Sequence, residues 1–312
     1  MGRTPRNGIT LGDYAREWLA LQEPALRLNT FDQYSRLLHG YILPHFGGAP
    51  IAAIRPGEIA RWVAAIIQSG KSPRTALLCF RLLHKILNDA VEDGLIRSNP
   101  AARVRPPKPP QKELNPWGPD EVATLIQGAR RWNQPYGALF ILLIGTGLRV
   151  GEALALRWRD VDLASRVVHV RRTVTLLKGR IYFHEPKTRH GIRDVALPEF
   201  AAQALEDLQA LRPPRSPDDL IFVNAAGRLP TRANIRSSLR RLLRRLDLPA
   251  VRIHDFRDFH ASILFRQGVD PKTVQRRLGH HSAAFTLDFY ARLFPDSDAT
   301  AARAVDRFIA KE

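Results

Sequence analysis

The amino-acid sequence predicts a mainly α-helical fold carrying one small antiparallel β-sheet (α+β), and three observations predict it. Apolar residues recur at helical spacing along most of the 312 residues. Strand-like alternation is confined to residues 167–197. A proline-rich, basic stretch near residue 100 divides the chain into an all-α segment, 1–100, a linker, 101–112, and a larger domain, 113–312.

In the first segment Leu11, Tyr14, Trp18 and Leu21 mark one helix, and Phe31, Tyr34, Leu37 and Leu38 a second. Ile59, Val63, Ile66 and Ile67 mark a third, and a fourth runs from Leu77 through Ile86 to Val91. Asn29 and Thr30 are expected as N-caps, and Ser72-Pro73 as a helix start. Pro100, Pro106, Pro107, Pro109 and Pro110 exclude a helix or central strand, so the linker is expected to be extended. Its Arg103, Arg105 and Lys108 read equally as parts of a spacer and as cations lying along a phosphate backbone.

In the larger domain Gly118-Pro119-Asp120-Glu121 opens a helix, and an apolar helical run spans 138–144. Gly145-Thr146-Gly147 turns the chain into a further helix over 148–158. Strand patterns follow at 167–170, 174–177, 181–183 and 192–197, with hairpin turns expected at 178–180 and 187–191. The remainder reads as helix, and there is no internal repeat.

Composition narrows the function. Hydrophobic residues at 45% and charged residues at 25% exclude a disordered tail protein. The longest apolar run, 138–144, is far short of the ~20 residues that span a bilayer, so no membrane partner is expected. The first six residues hold no apolar signal core, and the lone Cys79 has no partner for an internal disulfide, which fits a reducing cytoplasm. The net charge of +18 points to a polyanion, most often nucleic acid. A GC-rich coding genome accounts for much of the excess of 40 Arg over 8 Lys, but not for the net charge.

The chemistry-bearing residues lie in the larger domain. Arg149 and Glu152 stand three apart after the glycine turn, either an ordinary helix pair or a phosphate-gripping arginine with its support. His254 and Arg257 share a helical face, joining a proton donor to a phosphate-binding fork. Phe256, Phe259 and Ile263 are expected on the opposite, buried side, which turns the polar face outward. His280 ends one helix beside Gly279, and Tyr290 lies in the next, where a core tyrosine is the plainer reading. The sequence contains neither zinc-ligand spacing nor a phosphate loop for a nucleoside triphosphate.

In order, Arg149, Lys187, His254-x-x-Arg257, His280 and Tyr290 resemble the six active-site positions of the tyrosine recombinases, specifically the phage-type integrases. Thr146-Gly147-Leu148-Arg149-x-x-Glu152-x-Leu154 is similar to the first arginine box and Pro186-Lys187-Thr188 to the lysine hairpin. His254-Asp255-Phe256-Arg257 is similar to the second box, and Leu278-Gly279-His280 with Tyr290 to the third. The first segment resembles the core-binding domain, so the likeness covers nearly the whole chain. Asp258 departs from the pattern, standing where the family commonly carries a second histidine or another bulky residue. Some eight residues precede Ile9, so the resemblance implies either work without arm sites or a chain that starts internally.

The resemblance implies a core-binding domain joined to a tyrosine-recombinase catalytic domain. It implies that Tyr290 attacks DNA to form a 3′-phosphotyrosyl bond and release a 5′-hydroxyl, with no cofactor, metal or ATP. Arg149 and Arg257 then hold the non-bridging oxygens, Lys187 protonates the leaving oxygen, His254 assists Tyr290, His280 bonds a non-bridging oxygen, and Glu152 orients its neighbours. Implied partners are double-stranded DNA with specific attachment or core sites, a homotetramer on two sites, and accessory DNA-bending or directionality proteins. The segment Ala304-Val305-Asp306-Arg307-Phe308-Ile309 is expected to be an amphipathic helix docking on a neighbouring protomer. Arg236, Arg240, Arg241, Arg244 and Arg245 form two cationic rows expected on DNA. A chromosome- or plasmid-dimer resolvase of the same family, or a catalytically silent DNA-binding regulator, are the alternatives.

Overall fold

The computed structural model describes residues 8–110, 117–177, 179–186, 189–224, 226–280 and 283–293, with Ala302, Val305, Asp306, Ile309 and Ala310 beyond them. The chain forms two compact units, 1–113 and 114–312.

The first unit is helical: α1 Leu11–Gln22, α2 Leu28–Leu37, α3 Leu43–Phe46, α4 Pro56–Gln68 and α5 Pro73–Glu92. A π-type turn, Leu38–Ile42, joins α2 to α3. Ser72 caps α5 by accepting from the Thr75 N–H, with Pro73 in the first helical position. The stripe Cys79, Leu83, Ile86, Leu87 and Ala90 faces the core. Two long-range bonds fasten α1 to α5, from Tyr14 Oη to Asp93 (2.7 Å) and from Trp18 Nε1 to Asp89 (2.6 Å). Asn29 and Thr30 are not caps. The helical bonds begin one turn earlier, because the Arg27 carbonyl already accepts from the Thr30 and Phe31 N–H groups.

Extended chain does not begin at residue 101 either. Pro100–Arg103 form a 3₁₀ turn packed against the first unit, with Ala101 buried. Pro100 occupies the first position of that turn, where the missing N–H costs nothing. Asn99 secures it, accepting from the Ala101 N–H (2.8 Å) and donating to the His84 carbonyl (2.9 Å). Arg103 therefore belongs to the first unit, while Arg105 and Lys108 lie in the non-regular stretch that follows; all three are exposed.

In the second unit α6 (Pro119–Arg130) leads to α7 (Tyr136–Thr146), whose residues 137–146 are all buried. A helix apolar on every side is a central one, and α7 packs against α6, α9 (Glu199–Leu211), α10 (Arg232–Arg245) and α11 (Asp255–Arg266). The helix expected over 148–158 is only α8, Val150–Leu154. Beyond it Trp158 donates its N–H to the Asp219 carbonyl, and a 3₁₀ turn over Trp158–Asp160 starts the sheet.

Among the described residues there are two small sheets, not one. Strands β1 (Val161–Asp162), β2 (Val167–Val170) and β5 (Arg193–Ala196) make an antiparallel sheet in the order β1-β2-β5, and β3 (Thr173–Leu177) pairs only with β4 (Arg180–His184). Of the turn expected at 187–191, residues 187 and 188 lie outside the described residues, Arg189–Gly191 form a 3₁₀ turn, and β4 and β5 do not pair. Strand β5 passes over the β3–β4 excursion to lie on β2, where Val168 faces Val195 and Val170 faces Arg193. The buried face of β5 carries Arg193 and Val195.

The last helices, α12 (Pro271–Leu278) and α13 (Ala283–Leu293), pack on each other and on α11. They share a small apolar cluster, Ala261, Phe265, Val274, Leu278 and Phe289, that is separate from the main core. Among the described residues no helix is long and apolar enough to cross a membrane.

Candidate active site

The site is built around two left-handed glycines. Gly147 (φ +67°) ends α7, and Gly279 (φ +66°) ends α12. A Cβ on Gly147 would lie 2.5 Å from Leu278 and 2.7 Å from His260, so the room there is taken by the protein's own side chains and not by an approaching phosphate. Past Gly147, Arg149 is the N-cap of α8 and does not lie within its first turn.

Glu152 is buried beneath Arg149. Its Oε2 accepts from the Arg149 backbone N–H (2.9 Å) and its Oε1 from Arg149 Nη1 (2.8 Å). Arg193 adds bonds to both oxygens, Nη1 to Oε1 (3.3 Å) and Nη2 to Oε2 (3.0 Å). Burial alone would raise the Glu152 pKa, but Arg193 and then Arg149 outweigh it and hold the carboxyl below its ordinary range.

Arg257 is buried, contrary to the outward polar face expected from the sequence, while Ile263 on the supposed inner side is 37% exposed. The first turn of α11 points the Arg257 fork between the two glycine turns, and Nη1 donates to the Gly147 carbonyl (2.7 Å) and Nη2 to the Leu278 carbonyl (2.6 Å). Arg149 Nη2 reaches the Gly279 carbonyl one residue further on (3.3 Å). The two guanidiniums thus converge on the turn that leads into His280. Burial, followed by repulsion from Arg149, pushes the Arg257 pKa down to about 9. Glu152 opposes the shift, and the two carbonyls satisfy the fork.

His280 Nδ1 bonds Thr286 Oγ1 (2.9 Å) on α13. Thr286 and Tyr290 are four residues apart on that helix and share a face. The Tyr290 ring is half-buried, edge-on to Phe265 with centroids 5.1 Å apart. His254 precedes α11 at the surface; burial of its ring lowers its pKa, Asp258 opposes the shift, and Arg257 adds to it. Lys187 lies outside the described residues.

Sequence reasoning missed three supporting residues, Arg193, Arg277 and His260. The signal for Arg193 was a basic residue at an inward position of a strand alternation. The signal for His260 was its place one more step of three beyond Arg257. His260 Nε2 accepts from Arg277 Nε (2.9 Å) and Nδ1 faces the Ile144 carbonyl (2.9 Å), which fixes a neutral ring with its proton on Nδ1. Burial and Arg277 push its pKa down to about 3. Unfolded, the same ring titrates near ~6.5. Its contribution is complete above that pH and is lost as pH falls towards 3. Urea midpoints measured from pH 7.5 to 4.5 should therefore fall steadily. His260→Leu should start lower and fall less steeply, and an equally steep fall would assign the acid sensitivity elsewhere.

The described residues of the site hold four guanidiniums, Arg149, Arg193, Arg257 and Arg277, around one buried carboxylate, so the cleft is strongly positive. Residues 118–296 match the phage integrase family, and residues 11–107 match the phage integrase central domain. The chain belongs to the phage integrase family. Its activity is therefore site-specific DNA recombination by a tyrosine recombinase. Over 93% of its length it is 28% identical to the ICEBs1 integrase of Bacillus subtilis, covering 80% of that protein. It is 27% identical to a XerC-like tyrosine recombinase of Caldanaerobacter subterraneus, over 96% of this chain and 84% of the other. A Tn1549 transposon integrase solved in complex with transposon right-end DNA shares its fold, with a TM-score of 0.83 at 23% identity over 97% of this chain and all of that one.

This phage-integrase-family recombinase also presents the expected cations on α10. Ile235, Ser238, Leu239, Leu242 and Leu243 are buried, and Arg236, Arg240, Arg241, Arg244 and Arg245 are exposed. Trp132 Nε1 donates to Ser238 Oγ (2.9 Å) and pins the helix to the loop before α7. Arg240, Arg241 and Arg244 line an open depression of about 460 Å³ with Asn133, Tyr136, Asn234 and Ser237, and among the described residues no carboxylate lines it. Arg236 and Arg245 stand outside it.

Proposed function

We propose that this recombinase integrates and excises a mobile element through a covalent bond between Tyr290 and the 3′-phosphate of cleaved DNA. The observation that carries the reading is the convergence of Arg149 and buried Arg257 on the turn leading into His280. The two forks grip the non-bridging oxygens, whose charge grows as the Tyr290 oxygen adds to phosphorus. His254, at the surface with its pKa lowered by burial of the ring, takes the tyrosine proton, and Lys187 gives a proton to the departing 5′-oxygen. His280, held by Thr286, donates to a non-bridging oxygen. The phosphotyrosyl bond keeps the energy of the broken phosphodiester, so a second 5′-hydroxyl can displace the tyrosine and rejoin the strands.

The mobile-element role is supported by the likeness to the ICEBs1 integrase, and a dimer resolvase by the likeness to the XerC-like recombinase. Four protomers on two sites, exchanging their C-terminal segments, complete the assembly, with accessory DNA-bending or directionality proteins as further partners. Val305 and Ile309 stand 62% and 65% exposed, four residues apart, and offer an apolar edge for that exchange. The deciding experiment traps covalent protein–DNA adducts in the host under denaturing conditions and sequences the attached DNA. Adducts at the joined ends of an element establish integration, and adducts at a single chromosomal or plasmid resolution site establish the resolvase. Reversible binding without adducts overturns both in favour of a silent regulator.

The exposed cations of α10 form part of the duplex grip, with Arg105 and Lys108 as further phosphate ligands. Arg240→Ala/Arg241→Ala/Arg244→Ala should flatten the log-affinity against log-salt plot by about 0.9 for each phosphate that the variant leaves unneutralised. A slope equal to that of the wild type would remove this face from the interface.

A further inference from the structure

Arg193 touches no part of the solvent-facing cleft, yet it binds three separate pieces of the site. Its side chain is 5% exposed. Nη1 and Nη2 hold both oxygens of Glu152, Nε donates to the Arg277 carbonyl at the end of α12 (2.7 Å), and Nη1 also donates to the Gly191 carbonyl (3.0 Å). A Cβ on Gly279 would lie 3.0 Å from Arg193 Nη1, so the fork packs directly on the residue whose carbonyl receives Arg149. Arg149 and Arg193 therefore bracket one turn from two sides.

We propose that Arg193 is a positioning residue for DNA cleavage, a buried fork that shares the Glu152 charge with Arg149 and so keeps the carboxylate from drawing the whole Arg149 fork away from the scissile phosphate. The inference rests on the reading that Arg149 grips that phosphate. Glu152 carries one negative charge, and each of its oxygens is shared between an Arg149 donor and an Arg193 donor. Arg149 is 43% exposed and its side chain holds Glu152 through Nη1 alone, with Nη2 on the Gly279 carbonyl, whereas the Arg193 side chain is 5% exposed. Without Arg193 the carboxylate has two vacant acceptor positions in a buried setting, and Arg149 is the nearest donor to fill them. Arg149 Nη2 then leaves Gly279 for Glu152, and the cleft loses the geometry of its first fork. The Arg277–Gly279 turn loses its anchor in the same step, and His280 moves with it.

The test uses single-turnover cleavage at saturating protein on a nicked duplex bearing the mapped site, alongside DNA affinity. Arg193→Met should slow cleavage on the order of 10²-fold, the scale of a misplaced catalytic group, while affinity changes less than about twofold, since one phosphate interaction among many is altered. The pH profile separates positioning from loss of fold. Glu152 is faced by Arg149 from the α8 cap, Arg193 from β5 and Arg257 from α11, with Arg277 of α12 behind Arg193. Removing Arg193 leaves the buried carboxylate easier to protonate, so the acid limb of cleavage moves up towards neutral pH, and adding Glu152→Gln cancels that movement. Arg193→Lys, which keeps the charge and loses the fork, should slow cleavage less, with the acid limb unmoved. If the Met variant does not fold, the Lys variant decides alone: slowed cleavage at undiminished affinity supports the inference and wild-type cleavage overturns it. Wild-type rates in Arg193→Met, or a loss that tracks affinity with an unmoved acid limb, also overturn it. If the unaltered protein forms Tyr290-dependent adducts and the Arg193 variants match it, only this inference falls. If no such adduct forms at all, the underlying reading falls and takes the inference with it.

Discussion

Tyr290→Phe should abolish covalent capture of DNA, lowering the cleavage rate by at least about 10³-fold, while duplex affinity stays within a factor of two or so. The substitution deletes one oxygen, the atom proposed to attack phosphorus. The ring that packs edge-on against Phe265 remains, so α13 keeps its place against α11. The duplex grip is assigned elsewhere, to the cations of α10 and to Arg105 and Lys108. The checks are a denaturing gel of protein bound to end-labelled nicked duplex and a parallel affinity titration. Adducts persisting in the variant would give the nucleophile's role to a different residue. A parallel loss of affinity would make Tyr290 a binding residue first.

Glu152→Leu should cost about 3–5 kcal/mol of folding stability, the scale for stranding one partner of a buried ion pair. The partner stranded is Arg193, with a side chain as buried as its carboxylate is. The pairing with Arg149 contributes little to that figure, because Arg149 is 43% exposed and such pairs are worth about 0–1 kcal/mol. Arg193→Leu in addition should recover much of the loss, since two apolar side chains of similar volume can replace a buried pair at little cost. Cleavage should stay slower than wild type in the double variant, because Arg149 has lost the side chain that orients it. Urea denaturation of the three variants reads the cycle. A loss below about 1 kcal/mol for Glu152→Leu would mean that water reaches the pair.

The helical elements were legible wherever local rules govern. Ser72-Pro73 opens α5 as the capping pattern requires, and the unbroken apolar run at 138–144 is the central helix. The phage-integrase family was legible too, because its boxes are short and ordered along the chain. What depends on distant partners was not legible. Strand β5 pairs with β2 across a whole hairpin because its inward residues need Val168 and Val170, and adjacency in sequence does not say so. Arg257 read as a surface cation because its neighbours alternate polar and aromatic. Its burial comes from the Gly147 and Leu278 carbonyls, which lie 110 and 21 residues away. Arg193 is the same case: its role exists only once Glu152, Gly191 and Arg277 have been folded around it.

The small cluster shared by the last helices sets a local melting order. The helix carrying Tyr290 shares that cluster, through its own Phe289, with four buried residues of α11 and α12, while α7 is enclosed by the main core. Opening of a segment costs roughly what its own buried contacts are worth. Helix α13 should therefore open at lower cost than α7, and its amides should exchange with solvent before those of α7. The proposed nucleophile thus rides on a helix that shifts more cheaply than the one whose end carries the Gly147 turn.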